Sequence, residues 1–307
     1  MVLNRPGYPL EHYDAIGDCE LIDSVRGTVS GLPALLLYRP RERQLVVSIS
    51  GTASLRQALH DLRVTKTAHP SGHGAVHSGF WALYCGIKGQ LMVQIRHEIE
   101  KRHPAALILT GHSMGGSLAY LLLLDLLSEE LSRDQSKLSA LKIYIAVMGA
   151  PRTGDEKLVD YFQSLLLQFR EKFKLAPNFL TEYSIQGYND GMLFSSMQSG
   201  CSDPFYPQGI PAVPPRSMGY RHFCRAPLFT GGGKLYRIPT NNQSQVMFYP
   251  PENRMKLFPM GGHNYYNRRD LESFRRRTSW LAEADIDKTG WQSRYETTAG
   301  LKDPSKG

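Results

Sequence analysis

The residues of this chain that are best suited to chemistry are one serine and the histidines and acids that follow it. Ser113 lies in G-H-S-M-G, between two glycines. A serine hydroxyl becomes a nucleophile when a histidine takes its proton and a carboxylate holds that histidine in the right tautomer. Downstream of Ser113 the histidines are His222 and His263, and the candidate acids are Asp190 and Asp203. These residue types predict acyl transfer through a covalent intermediate.

Ser113 is predicted to lie at a sharp turn between a strand and a helix. The apolar residues 107–109 precede it and a long apolar helix follows it. A serine on so tight a turn crowds its neighbours, and Gly111 and Gly115 supply small residues two positions before and after it. Gly116 lets the helix pack closely on the sheet. The first N–H groups of the helix converge where they can stabilise an oxyanion, which makes this turn a nucleophile elbow.

The base and the acid can be ranked by their surroundings. His263 follows two glycines in a loop, the placement that a mobile base needs, whereas His222 lies between strand-like residues and is better explained by a structural hydrogen bond. Asp190 directly follows the strand-like Y-S-I-Q-G-Y-N, so it is held more rigidly than Asp203 in its long loop, although Asn-Asp-Gly also suits an ordinary turn. We therefore predict Ser113, Asp190 and His263 as the catalytic set, with Asp203 as the second choice for the acid.

Strands and helices alternate along the chain, which is typical of an α/β protein with a mostly parallel, doubly wound sheet flanked by helices. Functional residues in such sheets lie at the carboxyl ends of the strands, where Thr52, Ser113 and Asp190 all fall. Strands are predicted at residues 34–38, 44–49, 107–109, 141–148, 182–186, 222–229, 234–238 and 246–249, and helices at 13–25, 77–101, 155–174 and 268–284.

We expect one domain over residues 1–290, with a lid at about 54–75, an insertion at about 191–215 and a disordered tail at 291–307. The lid rests on Leu55, Leu59 and Leu62, whose spacing places them on one face of a short helix, followed by about a dozen loop-like residues. That spacing fits an ordinary core-covering helix equally well. The functional alternative is a lid that covers an apolar site and moves at a lipid surface.

The composition excludes some partners and cofactors. The chain has 36 Lys and Arg against 28 Asp and Glu, a net charge of +8 without a block of like charge, so nucleic acid is not expected and an anionic membrane surface suits it better. Cys19, Cys85, Cys201 and Cys224 show no zinc spacing. Free thiols are favoured, and a Cys201–Cys224 pair remains open. We expect no metal and no cofactor.

Location is read from the apolar runs. The first ten residues hold no apolar core of a signal peptide, and the longest near-apolar stretch, residues 118–127, is too short to cross a bilayer. This predicts a cytoplasmic protein with peripheral contact at a membrane or lipid-droplet surface. Basic residues of the last predicted helix suit such a surface, although a solvated face explains them more simply: Arg268, Arg269, Arg275, Arg276 and Arg277.

The ordered motifs resemble those of the class 3 lipases, the α/β-hydrolase family of the filamentous-fungal triacylglycerol lipases. L-T-G-H-S-M-G-G resembles the family's T-G-H-S-L-G-G, V-H-S-G-F its V-H-x-G-F, and M-G-A-P-R-T-G-D its F-G-A-P-R-V-G-N. S-G-T-A-S-L-R-Q-A-L-H-D-L resembles its oxyanion-loop and lid segment. Y-S-I-Q-G-Y-N-D, G-Y-R-H and H-N-Y-Y resemble its later motifs. The resemblance covers about residues 30–266.

The resemblance implies a lipid-ester substrate and a role for each matching residue. The catalytic set would be the Ser113, Asp190 and His263 named above. The backbone N–H groups of Thr52 and Met114 would form the oxyanion hole, with the Thr52 hydroxyl assisting. Asp61, at the family's lid aspartate, would hold that hydroxyl when the lid opens.

The chain also departs from the family. The segment I-P-A-V-P-P begins at Ile210, some twenty residues after Asp190, as if residues had been inserted there, which keeps Asp203 a candidate. Ala58 stands where the family's lid commonly has a bulky aromatic residue, and the secretion signal and disulfide pattern of the fungal enzymes are missing. We predict a lipase-like serine hydrolase of lipid carboxylic esters. A short-chain or aryl-ester esterase with a weak lid is the first alternative, and a catalytically idle membrane- or partner-binding protein is the second.

Overall fold

The computed structural model describes residues 18–51, 65–187, 219–231, 234–237, 265–266, 269–270, 289–290 and 293–294. Its helices are α1 (Ser78–Arg102), α2 (Met114–Leu131) and α3 (Glu156–Lys172), with a 3₁₀ turn at Leu138–Ala140. Its strands are β1 (Glu20–Arg26), β2 (Pro33–Arg39), β3 (Gln44–Ile49), β4 (Lys66–Ala68), β5 (Ala75–His77), β6 (Ala106–His112), β7 (Lys142–Met148), β8 (Leu180–Gly187), β9 (Leu228–Gly231), β10 (Lys234–Arg237), β11 (Tyr265–Tyr266) and β12 (Arg269–Asp270).

Eight of these strands form one sheet in the order β1-β2-β3-β6-β7-β8-β9-β10. Strands β3, β6, β7, β8 and β9 run parallel, and antiparallel strands extend the sheet at both edges. Parallel neighbours need crossover connections, and α1, α2 and α3 each lie between two successive parallel strands in the chain. The predicted α/β sheet is confirmed, as are the predicted central strands and the helices after residues 77, 113 and 155.

Helix α2 is the centre of the helical layer. It packs on β6 and β7 and has α1 on one side and α3 on the other. A helix covered on so many sides must be apolar around most of its circumference, and M-G-G-S-L-A-Y-L-L-L-L-D-L-L is buried at every position. The nucleophile elbow therefore begins the most deeply buried helix among the described residues.

The N-terminal strand corrects one prediction. Residues 13–25 were expected to be helical, but Glu20–Arg26 pairs antiparallel with β2. Leu21, Ile22 and Val25 have a spacing that also fits a helix face, so the sequence pattern was ambiguous. The turn after β1 favours the strand over the helix, because the Gly27 amide donates a hydrogen bond to the Leu32 carbonyl at 2.9 Å and closes a hairpin.

The second half of the predicted lid region is also corrected. Residues expected to be loop form a hairpin, in which β4 pairs with β5 across the turn at residues 69–74. The hairpin is attached to the segment between β7 and α3. The His77 amide donates to the Thr153 carbonyl at 2.8 Å, and Val76 forms a β-bridge with Gly154. The helix predicted for the lid, with Leu55, Leu59, Asp61 and Leu62, lies outside the described residues.

Two predictions near the C-terminus are wrong in part. The strand expected at residues 222–229 begins only at Leu228, and the helix expected from residue 268 does not start there, because Arg269–Asp270 pairs with Tyr265–Tyr266. The expected strand at 246–249 and the insertion at 191–215 lie outside the described residues, and the expected tail is described only at 293–294. Among the described helices, none has the length and apolarity needed to cross a bilayer.

Candidate active site

Ser113 has a backbone conformation that few residues with a side chain adopt. Its φ is 56° and its ψ is −129°, and the residue is only 4% exposed. Such a conformation costs on the order of 1–3 kcal/mol and persists only where the surroundings enforce it. Here the Ser113 amide donates to the Met148 carbonyl at 2.8 Å, and the Gly116 amide donates to the Ser113 carbonyl at 2.9 Å. The predicted sharp turn between strand and helix is confirmed.

The glycines around Ser113 are required by close backbone contacts. A Cβ on Gly115 would overlap the Ile49 carbonyl oxygen of β3, and one on Gly111 would overlap the backbone of Gly115 itself. At Gly116 the same atom would lie 2.9 Å from the Ala150 Cβ and 3.0 Å from the Val147 Cβ of β7, so the helix packs closely on the sheet as predicted. The elbow is thus compressed from both sides, and the serine has little freedom to change its conformation.

Four parallel strands end at the edge where Ser113 lies. Ile49 is paired with Gly111, His112 with Met148, and Met148 with Ile185. The carboxyl ends of β3, β6, β7 and β8 therefore lie side by side. Gly51 is already in contact with the elbow, because its Cβ would lie 2.7 Å from the His112 carbonyl oxygen. This edge is where the sequence placed the site.

The remaining predicted site residues are divided between described and undescribed segments. Met114, the first residue of α2, is 1% exposed and offers one of the first amides of the helix, as the oxyanion-hole prediction requires. The other predicted site residues lie outside the described residues and stay predictions: Thr52, Asp190, Asp203 and His263. Two of them are close in sequence to the site edge, since β3 ends three residues before Thr52 and β8 three residues before Asp190.

His222 has the structural role that its setting predicted. The half-buried ring donates a hydrogen bond to the Ala150 carbonyl in the loop that packs against the elbow. Burial, with a smaller contribution from the charge of Arg152, lowers the pKa of His222 to about 3. An imidazole that stays neutral to such low pH, with one nitrogen committed to a carbonyl, is poorly matched to base catalysis near neutral pH.

His77 is a buried residue whose role the sequence analysis missed. Its Nδ1 accepts the Phe80 amide at 3.3 Å and so caps α1, and its ring stacks on Phe80 at 4.2 Å. Burial lowers the pKa of His77 to about 4, so the cap is made by the neutral ring. The sequence held little signal for it, since histidine is not among the residues that N-cap positions favour.

A hydrogen bond ties the nucleophile's helix to the strand that leads toward Asp190. The Tyr120 hydroxyl on α2 donates to Glu182 Oε1 on β8 at 2.6 Å, and Tyr120 stacks on Phe223 at 5.4 Å. This contact was also not predicted. The polar positions of E-Y-S-I-Q alternate on one face of a buried strand, which indicated a polar partner on the helix above.

Cysteines and clusters of metal-binding side chains do not contribute a second centre within the described residues. Cys19, Cys85 and Cys224 are free thiols, and Cys201 lies outside the described residues. In the same part of the chain no three His, Cys, Asp or Glu side chains are grouped as a metal site would require.

Fold and elbow together define an α/β-hydrolase: a mostly parallel sheet with a strained serine between a central strand and the helix that follows it. Solved structures agree. A Rhizomucor miehei lipase in complex with its propeptide superimposes with a TM-score of 0.60 at 19% identity, over 85% of this chain and 72% of that one. Lipase II of Rhizopus niveus gives 0.59 at 19% identity, over 83% and 82%.

Sequence comparison then adds a family resemblance over part of the chain. Residues 46–178 match the class 3 lipases, which confirms the resemblance over the segment that carries the elbow. The lipase of Rhizomucor miehei is 26% identical over 160 residues, 52% of this chain and 43% of that protein. A chloroplastic phospholipase A(1) of Arabidopsis thaliana is 32% identical over 107 residues, 24% of its length. The chain spans less than half the length of these curated relatives.

Proposed function

We propose that this protein is a serine hydrolase that cleaves carboxylic esters of lipids, as an acylglycerol lipase does. The observation that carries the proposal is Ser113, held at a φ of 56° at the edge where four parallel strands end, within a segment that matches the class 3 lipases. A strained, compressed serine with this placement has no advantage for stability, since glycine would fit the turn at lower cost. Its hydroxyl is the reason to keep it.

In the proposed reaction the Ser113 hydroxyl oxygen attacks the ester carbonyl carbon while His263 takes the hydroxyl proton. The carbonyl oxygen becomes an oxyanion, which the amides of Thr52 and Met114 stabilise through hydrogen bonds that are strongest in this intermediate. Asp190 fixes the tautomer of His263 and stabilises the imidazolium. The C–O bond to the alcohol then breaks, the alcohol leaves with the proton from His263, and the acyl group stays on Ser113.

Deacylation repeats these steps with water. His263 takes a proton from a water molecule, whose oxygen attacks the acyl carbon, and the second tetrahedral intermediate collapses. The Ser113 oxygen recovers the proton from His263, and the carboxylic acid is released. Asp203 is the second candidate for the acid in both halves of this cycle.

The nature of the substrate is tested by comparing two esters. Emulsified long-chain triacylglycerol and soluble p-nitrophenyl butyrate are each offered to the full chain, with Ser113→Ala as the inactive variant and Ser24→Ala, an exposed serine on β1, as the matched control. We expect the emulsion to be cleaved, the control to retain full activity and Ser113→Ala to lose several orders of magnitude. If only the soluble ester is cleaved, the protein is a short-chain esterase and the proposed lipase activity is wrong.

A fluorophosphonate probe separates an enzyme from a binding protein. It should label wild-type protein at Ser113 and leave Ser113→Ala unlabelled. Absence of labelling together with absence of turnover on both esters would leave the catalytically idle binding protein as the function.

We propose in addition that the enzyme is cytoplasmic and makes peripheral contact with a membrane or lipid-droplet surface. Flotation with phosphatidylserine vesicles and with neutral vesicles tests that contact. If the protein floats with neither kind of vesicle, the proposed membrane contact is wrong.

A further inference from the structure

A groove lies at the opposite end of α2 from the nucleophile. It is bounded by the turn at residues 72–74, the last turns of α2 and one side of α3, and it encloses about 810 Å³, a volume within the range of small-molecule sites. Ser128, on its floor, lies 15 residues beyond Ser113 on α2, which is roughly 22 Å at 1.5 Å per residue. The groove is therefore separate from the proposed active site. We call it the back groove.

One wall of the back groove is aromatic and ordered by stacking. The His73 ring lies on the Tyr161 ring at 4.2 Å with an angle of 15° between the planes. The turn that presents His73 is closed by the Gly72 amide on the His69 carbonyl at 3.0 Å. Leu131 and the buried Leu165 add an apolar base. This surface can pack against the C–H face of a ring.

Two of the three serines that line the back groove offer acceptors to a ligand. Ser132 Oγ donates its proton to the Glu129 carbonyl at 2.6 Å, and Ser164 Oγ donates to the Tyr161 carbonyl at 2.7 Å. Each hydroxyl has one proton and two lone pairs, so what these two serines offer a ligand is lone pairs. A ligand in contact with them must bring donors.

The donors lie on the same face of α3 as Ser164. Lys157 and Gln168 line the groove there, and neither has a hydrogen-bond or ion-pair partner within the described part of the chain. Asp160, the acid of the lining, is paired with Arg225. The back groove therefore presents one cation and one amide together with two sets of oxygen lone pairs.

This combination selects for groups that both donate and accept. An inorganic anion would meet the Ser132 and Ser164 lone pairs and the nearby Asp160 carboxylate with a single lysine to balance them. An acyl chain would displace water from these polar side chains without replacing its hydrogen bonds. A hydroxyl group satisfies both kinds of partner at once. We propose that the back groove binds a neutral polyhydroxylated ring, such as a sugar or a cyclic polyol.

The binding test uses methyl β-D-glucopyranoside and myo-inositol as probes on the full chain, by saturation-transfer NMR and titration calorimetry. We expect saturable binding with a Kd in the millimolar range, roughly 1–10 mM, typical of few and solvent-exposed contacts. Lys157→Ala and Gln168→Ala should each weaken binding by about 3–10-fold. Two exposed residues outside the lining provide the controls. Lys101→Ala removes a lysine charge elsewhere, and Leu167→Ala changes α3 outside the groove. Both variants should bind the probes as the wild type does.

Three further measurements decide the proposal. Ser113→Ala should bind the probes unchanged, whereas loss of binding in that variant would place the sugar in the catalytic cleft and overturn the back groove as the site. Ser132→Trp, which fills the groove from an exposed position, should abolish binding. Inorganic phosphate should not compete. Tighter binding of phosphate than of the glucoside, or no saturation by either ring compound up to about 100 mM, would also overturn the proposal.

Discussion

The two ends of helix α2 are built by opposite rules. At the N-terminal end Ser113 is nearly buried, its backbone is strained, and its neighbours are glycines that contact backbone atoms directly. At the C-terminal end Ser132 is exposed with an ordinary φ of −76°, and side chains from three elements surround an open groove. The same helix thus holds one residue rigidly where a bond would be made and displays several adaptable side chains where only contacts are needed.

This difference follows from what each task requires. Nucleophilic attack needs an atom held within a fraction of an ångström, and backbone contacts provide that precision. Reversible binding of a small polar ligand tolerates side chains that adjust. The elbow end should therefore respond severely to small changes and the groove end mildly, and four experiments test that contrast.

The largest effect is expected for Gly115→Ala. The new methyl group would overlap the Ile49 carbonyl of β3, which cannot move without displacing the central sheet, so we expect a loss of about 3 kcal/mol or more in the free energy of unfolding. Urea denaturation measures it. Two controls complete the test. Gly89→Ala in α1 has no atom within 4 Å of the new methyl group and should stabilise by about 0.5–1 kcal/mol, whereas Ser132→Ala should stay within about 0.5 kcal/mol of wild type.

His77→Asn should change how stability depends on pH. The pKa of His77 is lowered to about 4 by burial, against about 6.5 in the unfolded chain, so the unfolded state binds the proton more tightly. Wild-type stability should fall as the pH drops below 6.5, by about 3 kcal/mol at pH 4. Asparagine accepts the Phe80 amide without titrating and should remove that share of the loss.

Denaturation midpoints at pH 7 and pH 4 check the His77 prediction. His97→Asn, at a side chain that is 61% exposed and away from the cap, is the control for the substitution itself. Equal acid sensitivity of wild type and His77→Asn would show that protonation of His77 does not destabilise the cap of α1.

Ser113→Gly and Ser113→Ala should differ in stability although both are expected to be inactive. Alanine keeps the side-chain carbon that makes a φ of 56° costly, and glycine does not. We expect the glycine variant to be more stable than the alanine variant by about 1 kcal/mol, measured by thermal denaturation at matched pH. The reverse order would mean that the elbow stores no backbone strain.

The smallest effect is expected at the groove end, for His69→Asn. His69 Nδ1 accepts the Ser71 amide at 3.3 Å and lies 2.8 Å from the Ser71 hydroxyl, so protonation of Nδ1 would break the amide bond in the turn that carries His73. Burial lowers the pKa of His69, with Lys88 and His73 acting in the same direction and Asp125 opposing them. The turn should be stable above pH 6.5 and loosen as the pH falls through the lowered pKa.

Hydrogen exchange of the amides at residues 69–74, corrected for the intrinsic rate, measures this loosening. Between pH 7 and pH 5 we expect protection to fall about 2–5-fold in wild type and to stay constant in His69→Asn, whose side-chain oxygen can accept the Ser71 amide. The affinity of the back groove for the glucoside should follow the same pattern. Constant protection in wild type would show that the stability of the turn does not depend on the protonation of His69.

Much of the fold and of the elbow could be predicted because local rules specify them. The apolar runs of β6 and β7, the all-round apolar α2 and the glycines at 111, 115 and 116 each leave a pattern in the sequence, and the structure confirms all of them. The His222 hydrogen bond was also predicted, from a histidine set among strand-like residues. Asp190, His263 and Thr52 remain predictions, since they lie outside the described residues.

The sequence by itself determined which serine sits at the turn, because a glycine requirement two residues to either side of Ser113 is a local steric fact. Only the tertiary structure decided that residues 20–26 form a strand, since pairing with β2 overrides an ambiguous spacing. The Tyr120–Glu182 bond and the back groove belong to the same class. They join residues that are far apart in the chain, and no local rule reports which side chains the packing of helices on a sheet will bring together.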